Sequence, residues 1–152
     1  MELNIKQDFD APIEYIFERM TDFEAHEKRA LLAGVVINSK TATPDASTWN
    51  VTFEWRGKER NAEIEVSEII KNEHMRVVAA SPNLFAVADL KFLSLSPLLT
   101  RIRLKSTLKG KTLKARLMIQ SARIAKKSIE KRLQNRLGGL AAELEFDYSQ
   151  LG

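Results

Sequence analysis

The chain has 152 residues, of which 44% are hydrophobic and 29% charged, a composition that suits one globular domain over residues 1–152 and excludes a disordered chain. It has no cysteine, which excludes disulfides, thiolate metal centres and cysteine nucleophiles. The net charge of +4 is unevenly spread: thirteen Lys and Arg but one acid, Glu130, lie from Arg101 to Arg136, whereas Asp8, Asp10, Glu14, Glu18, Asp22, Glu24 and Glu27 make the early chain acidic.

The opening MELNIKQD lacks a secretory pattern and no apolar run reaches membrane-spanning length, so a cytoplasmic location is expected. Leu3, Ile5, Gln7 and Phe9 alternate with Glu2, Asn4, Lys6 and Asp8, which predicts a half-buried strand. A helix then starts at Asp10 or Ala11 with Pro12 in its first turn, where a missing N–H does no harm. Its apolar stripe is Ile13, Ile16, Phe17 and Met20. Thr21-Asp22-Phe23-Glu24 reads as a capping box that opens a second helix ending near Gly34.

After a strand near Val35 to Lys40, STWNVTFEWRG places Trp49, Val51, Phe53 and Trp55 on one face. A Gly57-Lys58 turn would join it to ERNAEIEV as a hairpin opposing Phe53 to Ala62, Val51 to Ile64 and Trp49 to Val66. The same register opposes Arg56 to Glu59 and Trp55 to Arg60. Three further strands are expected in MRVVAAS, FAVADLKFLSLS and TRIRLKSTLKG, giving about seven, mostly joined by turns and therefore antiparallel. From about Thr112 to Tyr148 the period becomes helical, with Met118, Ala122, Ala125, Ile129, Leu133, Leu137, Leu140, Leu144 and Tyr148 on one stripe. At 1.5 Å per residue this rod would be about 50 Å long, so a bend is expected, with Gly138-Gly139 as its natural place.

This order, with the opening FDAPIEYIFERMTDFEAHEKR and a closing helix carrying Leu133, Leu137, Leu140 and Glu143, resembles the START-like (SRPBCC) superfamily of polyketide cyclases and lipid-transfer domains. The small-residue-plus-proline helix start (Ala11-Pro12), the aromatic Phe17 and the acid Asp22 carry the likeness. The charged AHEKRA after Asp22 departs from many bacterial relatives, and no subfamily is assigned. The resemblance implies an α+β helix-grip fold. A curved antiparallel sheet grips one long C-terminal helix, and two short helices follow the first strand. It also implies a small hydrophobic or amphipathic ligand, such as a lipid, isoprenoid or polyketide-like molecule, bound and carried between sheet and helix. A cyclase or dehydratase using the same cavity is the alternative.

The expected walls are Phe53, Trp55, Ile64, Val77, Leu90, Phe92, Leu104, Ile129 and Leu133, on inward strand positions and the helix stripe. Lys126 falls within the apolar stripe and either runs its stem to solvent or binds an anionic head group. Asp89, Arg60 and Lys126 are the polar residues an enzyme could draw on, Asp89 being otherwise a solvent-face residue beside Lys91. His26 and His74 lack metal-ligand spacing, and no nucleophile elbow, phosphate loop or histidine triad occurs, so neither metal, cofactor nor catalytic residue is assigned. Leu113, Leu117 and Ile124 form a second stripe amid basic residues, read as contact with the last strand, a partner surface or an insertion into an anionic bilayer. The basic 101–136 region reads first as a solvated face; the alternative is an interaction module that docks this face on an anionic membrane or a partner, with nucleic acid less favoured.

Overall fold

The first strand, β1, runs from Glu2 to Phe9 in the computed structural model, which describes residues 1–152. Two helices follow, α1 (Ile13–Met20) and α2 (Phe23–Leu32). Next come β2 (Val36–Ala42), β3 (Ala46–Trp55), β4 (Lys58–Ile70), β5 (His74–Ala80), β6 (Leu84–Ser96) and β7 (Leu99–Gly110). Two helices, α3 (Leu113–Ala122) and α4 (Lys126–Ser149), close the chain. The seven strands form one antiparallel sheet in the order β1-β7-β6-β5-β4-β3-β2, with the C-terminal helix packed on it, a helix-grip fold. No helix is long and apolar enough to cross a membrane.

The core gathers Phe9, Ile16, Phe17 and Met20 from the first strand and helix with Leu90, Phe92 and Ile102 from β6 and β7 and Ala141 and Leu144 from α4. The predicted stripe of α1 is therefore its buried face, and Phe17 meets Phe92 edge-on at 5.0 Å. Pro12 stands one residue outside the helix, as its N-cap, with extended dihedrals. The second helix is capped by Asp22, whose carboxylate accepts the Ala25 N–H at 3.2 Å. Thr21, the first residue of the expected capping box, instead turns back and donates to the Phe17 carbonyl at 2.8 Å. Gly34, at φ +91°, ends that segment as expected.

The β3–β4 hairpin forms, but two residues away from its expected register. Trp49 faces Ile64, Val51 faces Ala62, Phe53 faces Arg60 and Trp55 faces Lys58. The turn is Arg56-Gly57, both at positive φ (53° and 72°), the geometry whose twist matches the flanking strands. A slip of two leaves every side chain on its own face, so the apolar face survives while the expected charge pairs do not. Glu54 now opposes Glu59, and the Arg56 guanidinium lies over the Trp55 ring at 4.5 Å.

One contact sets the position of the long helix. β1 is a sheet edge, and its outward backbone groups face α4. Glu130 accepts the Asn4 N–H at 2.7 Å, Gln134 donates to the Lys6 carbonyl, and Glu145 accepts the Asp10 N–H at 2.9 Å. From Asn4 to Asp10 a strand advances about 20 Å. From Glu130 to Glu145 a helix advances about 22 Å. The two pitches match over this length, so one helix face serves the whole edge and protects it from pairing with another chain.

The rod breaks at Arg123–Ala125, a single 3-10 turn, and not at the glycines. Gly138 and Gly139 run through unbroken helix, held on one side by Gln134 and on the other by buried Ala141 and Leu144. The break falls where α3, which packs on β7, gives way to α4, which packs on β1. Gly110 has the tighter constraint. A Cβ there would lie 2.5 Å from the Arg116 nitrogen and 2.8 Å from the Ala115 carbonyl carbon, whereas nothing lies within 4 Å of one at Gly139. Gly110→Ala is therefore expected to cost about 1–3 kcal/mol of unfolding free energy through overpacking. Gly139→Ala should gain up to about 1 kcal/mol in a helix interior. Denaturant titration of the two variants compares them directly.

Candidate ligand-binding cavity

Inward-facing residues at every second strand position build the wall of a cavity of about 460 Å³: Trp49 and Val51, Ile64 and Val66, Met75 and Val77, Ala88 and Leu90, and Leu104. Met20, Phe23, His26, Glu27, Ala30, Ile37 and Leu137 complete it from the helices and the sheet edge. Fourteen of the sixteen lining residues are hydrophobic, and His26 and Glu27 are the two that are not. α2 buries none of its side chains fully, so it spans the opening as a wall rather than filling it as core.

Glu27 sits in a fixed hydrogen-bond set. Its Oε1 accepts the Trp49 indole N–H at 2.7 Å and lies 2.7 Å from Lys40 Nζ, and neither donor uses Oε2. The Lys40 and Trp49 hydrogen bonds hold this carboxyl below the usual carboxylate range. Phe23 meets Trp49 edge-on at 5.4 Å, which fixes the indole plane. Beside it, Arg29 lies 3.1 Å from His26 Nδ1 and 3.1 Å from Glu143. A guanidinium only donates, so Nδ1 accepts and Nε2, 2.9 Å from the Met20 carbonyl, is the donor.

Of the residues expected as walls, Ile64, Val77, Leu90 and Leu104 line this cavity. Phe92 is buried core against Phe17, and Phe53 is half-buried opposite Arg60. Trp55 and Ile129 line a separate open groove beside α3. Leu133 and Lys126 are half-buried on α4 away from the cavity, and Lys126 makes no ion pair. Walls drawn from helix 126–133 require a rod crossing the sheet centre, whereas the edge of β1 draws α4 aside. Composition groups Glu27 with the solvated acids of the early chain. Its i, i+4, i+7 relation to Phe23 and Ala30 is the available sign that it shares their face.

Asp89, Arg60 and Lys126 do not converge. Asp89 sits among His74, Arg76, Lys91 and Arg103 in a polar groove apart from the apolar cavity. Its carboxylate accepts from Arg76 Nε at 2.9 Å and lies 3.0 Å from His74 Nε2. His74 is thus tied into a network rather than free on the surface. Glu68, His74 and Asp89 could approach one cation, but the Arg76 guanidinium, also 3.4 Å from Glu68, already supplies the positive charge between the carboxylates. Arg60 Nε is buried without a partner, and its guanidinium lies 5.7 Å from the Trp55 ring centre.

No protein-family model matches the chain, and no curated protein matches it by sequence. Its fold does match solved structures. TTHA0849 from Thermus thermophilus superposes with a TM-score of 0.69 at 14% identity over 95% of this chain and 97% of that one. The ZhuI aromatase/cyclase from Streptomyces sp. R1128 gives 0.63 at 12% identity over 93% of each. A START superfamily protein from Mycobacterium smegmatis gives 0.61 at 17% identity over 99% of each. These likenesses show the fold: the helix-grip arrangement of this chain is shared with an aromatase/cyclase and with a START superfamily protein.

The Arg76 hydrogen bond, with a further one from His74, lowers the Asp89 pKa below its ordinary value near 3.8. The unfolded chain therefore binds the proton more readily, and this contribution is present above that ordinary value and lost as pH falls through the lower folded one. Asp89→Asn should flatten the acid limb of a stability–pH curve measured by thermal unfolding, with little effect on the limb above neutrality.

Proposed function

We propose that this protein binds a small, largely apolar molecule whose polar end is a hydrogen-bond donor, a hydroxyl or a protonated amine, in the cavity closed by α2. The observation that carries the reading is an apolar cavity with one carboxylate at its wall, Glu27, whose Oε2 is not used by the donors that hold Oε1. Ile64, Val77, Leu90 and Leu104 would bury the apolar body. That burial is worth about 25 cal/mol per Å² before ordering costs. Glu27 would receive the donor. A carboxylate ligand in the same pose would set two anions about 4 Å apart, a repulsion of up to about 4 kcal/mol at the effective dielectric of a protein surface, which the Lys40 ammonium on Glu27 Oε1 offsets only in part. The preferred ligand is therefore an alcohol-like or amine-like lipid or isoprenoid rather than a fatty acid.

The likeness to an aromatase/cyclase supports an enzyme as the second reading. The acid–base side chains at the cavity are His26 and Glu27, and both ring nitrogens of His26 already have protein partners. That pairing favours binding over proton transfer.

Trp49 reports on its own cavity. With Trp55→Phe as background it is the only tryptophan left, and its emission should change on titration with 1-dodecanol at least tenfold more readily than with dodecanoate. Glu27→Gln should bring the two ligands to within about threefold of each other. Lys126→Met should change neither affinity. Failure of both ligands to alter Trp49 emission, or equal affinity of the unsubstituted cavity for both, would overturn the reading.

A further inference from the structure

The long helix is cut at Arg123–Ala125, and its first piece does something its second does not. α3 buries only Ala115 and Ile119 fully. Its other large apolar side chains are out in solvent: Leu113 is 73% exposed, Leu117 56% and Met118 48%, and Ile124 in the following turn is 95% exposed. Leu113, Leu117 and Met118 share one open groove with Trp55 at the tip of the β3–β4 hairpin, itself 47% exposed. Contiguous exposed apolar surface of this kind marks a contact with something.

The charge around it says what. Lys114, Arg132 and Arg56 line the same groove, and Arg123 and Lys127 flank Ile124. The one acid of this region, Glu130, is held by the Asn4 N–H of the β1 edge. Two copies of the chain laid groove to groove would bring like charges together, so the face does not suit self-association. A nucleic acid would match the cations but leave the leucines and isoleucine in water. Apolar side chains ringed by Lys and Arg, beside a tryptophan with an arginine over its ring, suit the boundary between anionic head groups and acyl chains.

We infer that α3, the 123–125 turn and the hairpin tip form a docking face for an anionic bilayer, with Leu117, Ile124 and Trp55 entering the acyl boundary and the surrounding cations meeting the head groups. The inference stands apart from the cavity and does not rest on what the cavity holds.

Sedimentation with vesicles tests it. The protein should pellet with phosphatidylcholine vesicles that contain about one-third phosphatidylserine, and not with phosphatidylcholine alone. Raising salt from about 0.1 M to about 1 M shortens the screening length from about 10 Å to about 3 Å and should release it. Leu117→Asp with Ile124→Asp, both at solvent positions, should weaken binding more than tenfold. Each cation removed, as in Arg123→Gln or Lys127→Gln, should cost about fivefold. Arg103→Gln, on the polar groove, should leave binding unchanged. No pelleting with the serine-containing vesicles, undiminished pelleting of the Leu117→Asp/Ile124→Asp variant, or loss confined to Arg103→Gln would each overturn the inference. Binding to random-sequence duplex DNA in place of the vesicles would overturn it as well.

Discussion

The open edge of β1 governs the rest of the structure. An antiparallel sheet leaves a row of N–H and C=O groups unpaired on each outer strand, and a long edge invites pairing with another chain. Here the C-terminal helix meets that demand with side chains. Glu130, Gln134 and Glu145 face Asn4, Lys6 and Asp10 because fifteen helical residues and six strand residues cover nearly the same length. A helix held there by its polar seam cannot also lie over the middle of the concave face.

The cavity is the consequence. Strands β3 to β7 turn Trp49, Val51, Ile64, Val77, Leu90 and Leu104 inward, and α4 answers them at the cavity with Leu137 alone. Further along, Ala141 and Leu144 close against the core around α1, so the packing is solid at one end and open in the middle. α2 shuts the opening without a single fully buried residue of its own, tied instead by the Glu27–Trp49, Lys40–Glu27 and Arg29–Glu143 contacts. A wall held by polar contacts at its rim is easier to open than one held by a packed core. The same contacts put one carboxylate beside an otherwise oily space, and polarity rather than volume is what distinguishes one apolar ligand from another there.

The break in the terminal rod divides its labour. α4 is committed to β1 and the core, whereas α3 has only Ala115 and Ile119 against the sheet and keeps a basic, apolar outer face. The acidic early chain and the basic late chain meet where β1 pairs with β7, with Asp8 2.7 Å from Arg101. Arg19–Asp147 and Arg29–Glu143 run opposite to the overall trend, each joining a base from α1 or α2 to an acid near the end of α4. Those exposed pairs contribute little individually, on the order of 0–1 kcal/mol each.

Local pattern alone determined much of this protein. The alternation of Leu3 to Phe9, the Ile13–Met20 stripe, the Gly34 stop, the apolar face of β3 and the late switch to a helical period all appear as read, in the element order whose resemblance implied a helix-grip fold. What pattern cannot carry is distance between elements. A period of two assigns Phe53 and Trp55 to a face but is indifferent to a register slip of two, which the Arg56-Gly57 turn decided. A helical stripe joins Met118 to Tyr148 but not the partner of each turn, so the bend followed the change from β7 to β1 and passed over Gly138-Gly139. Glu27 became a cavity residue, and Lys126 and Leu133 did not, only once the edge of β1 had set where the helix lies. Side-chain periodicity records which way a residue points, and only the assembled backbone settles what it points at.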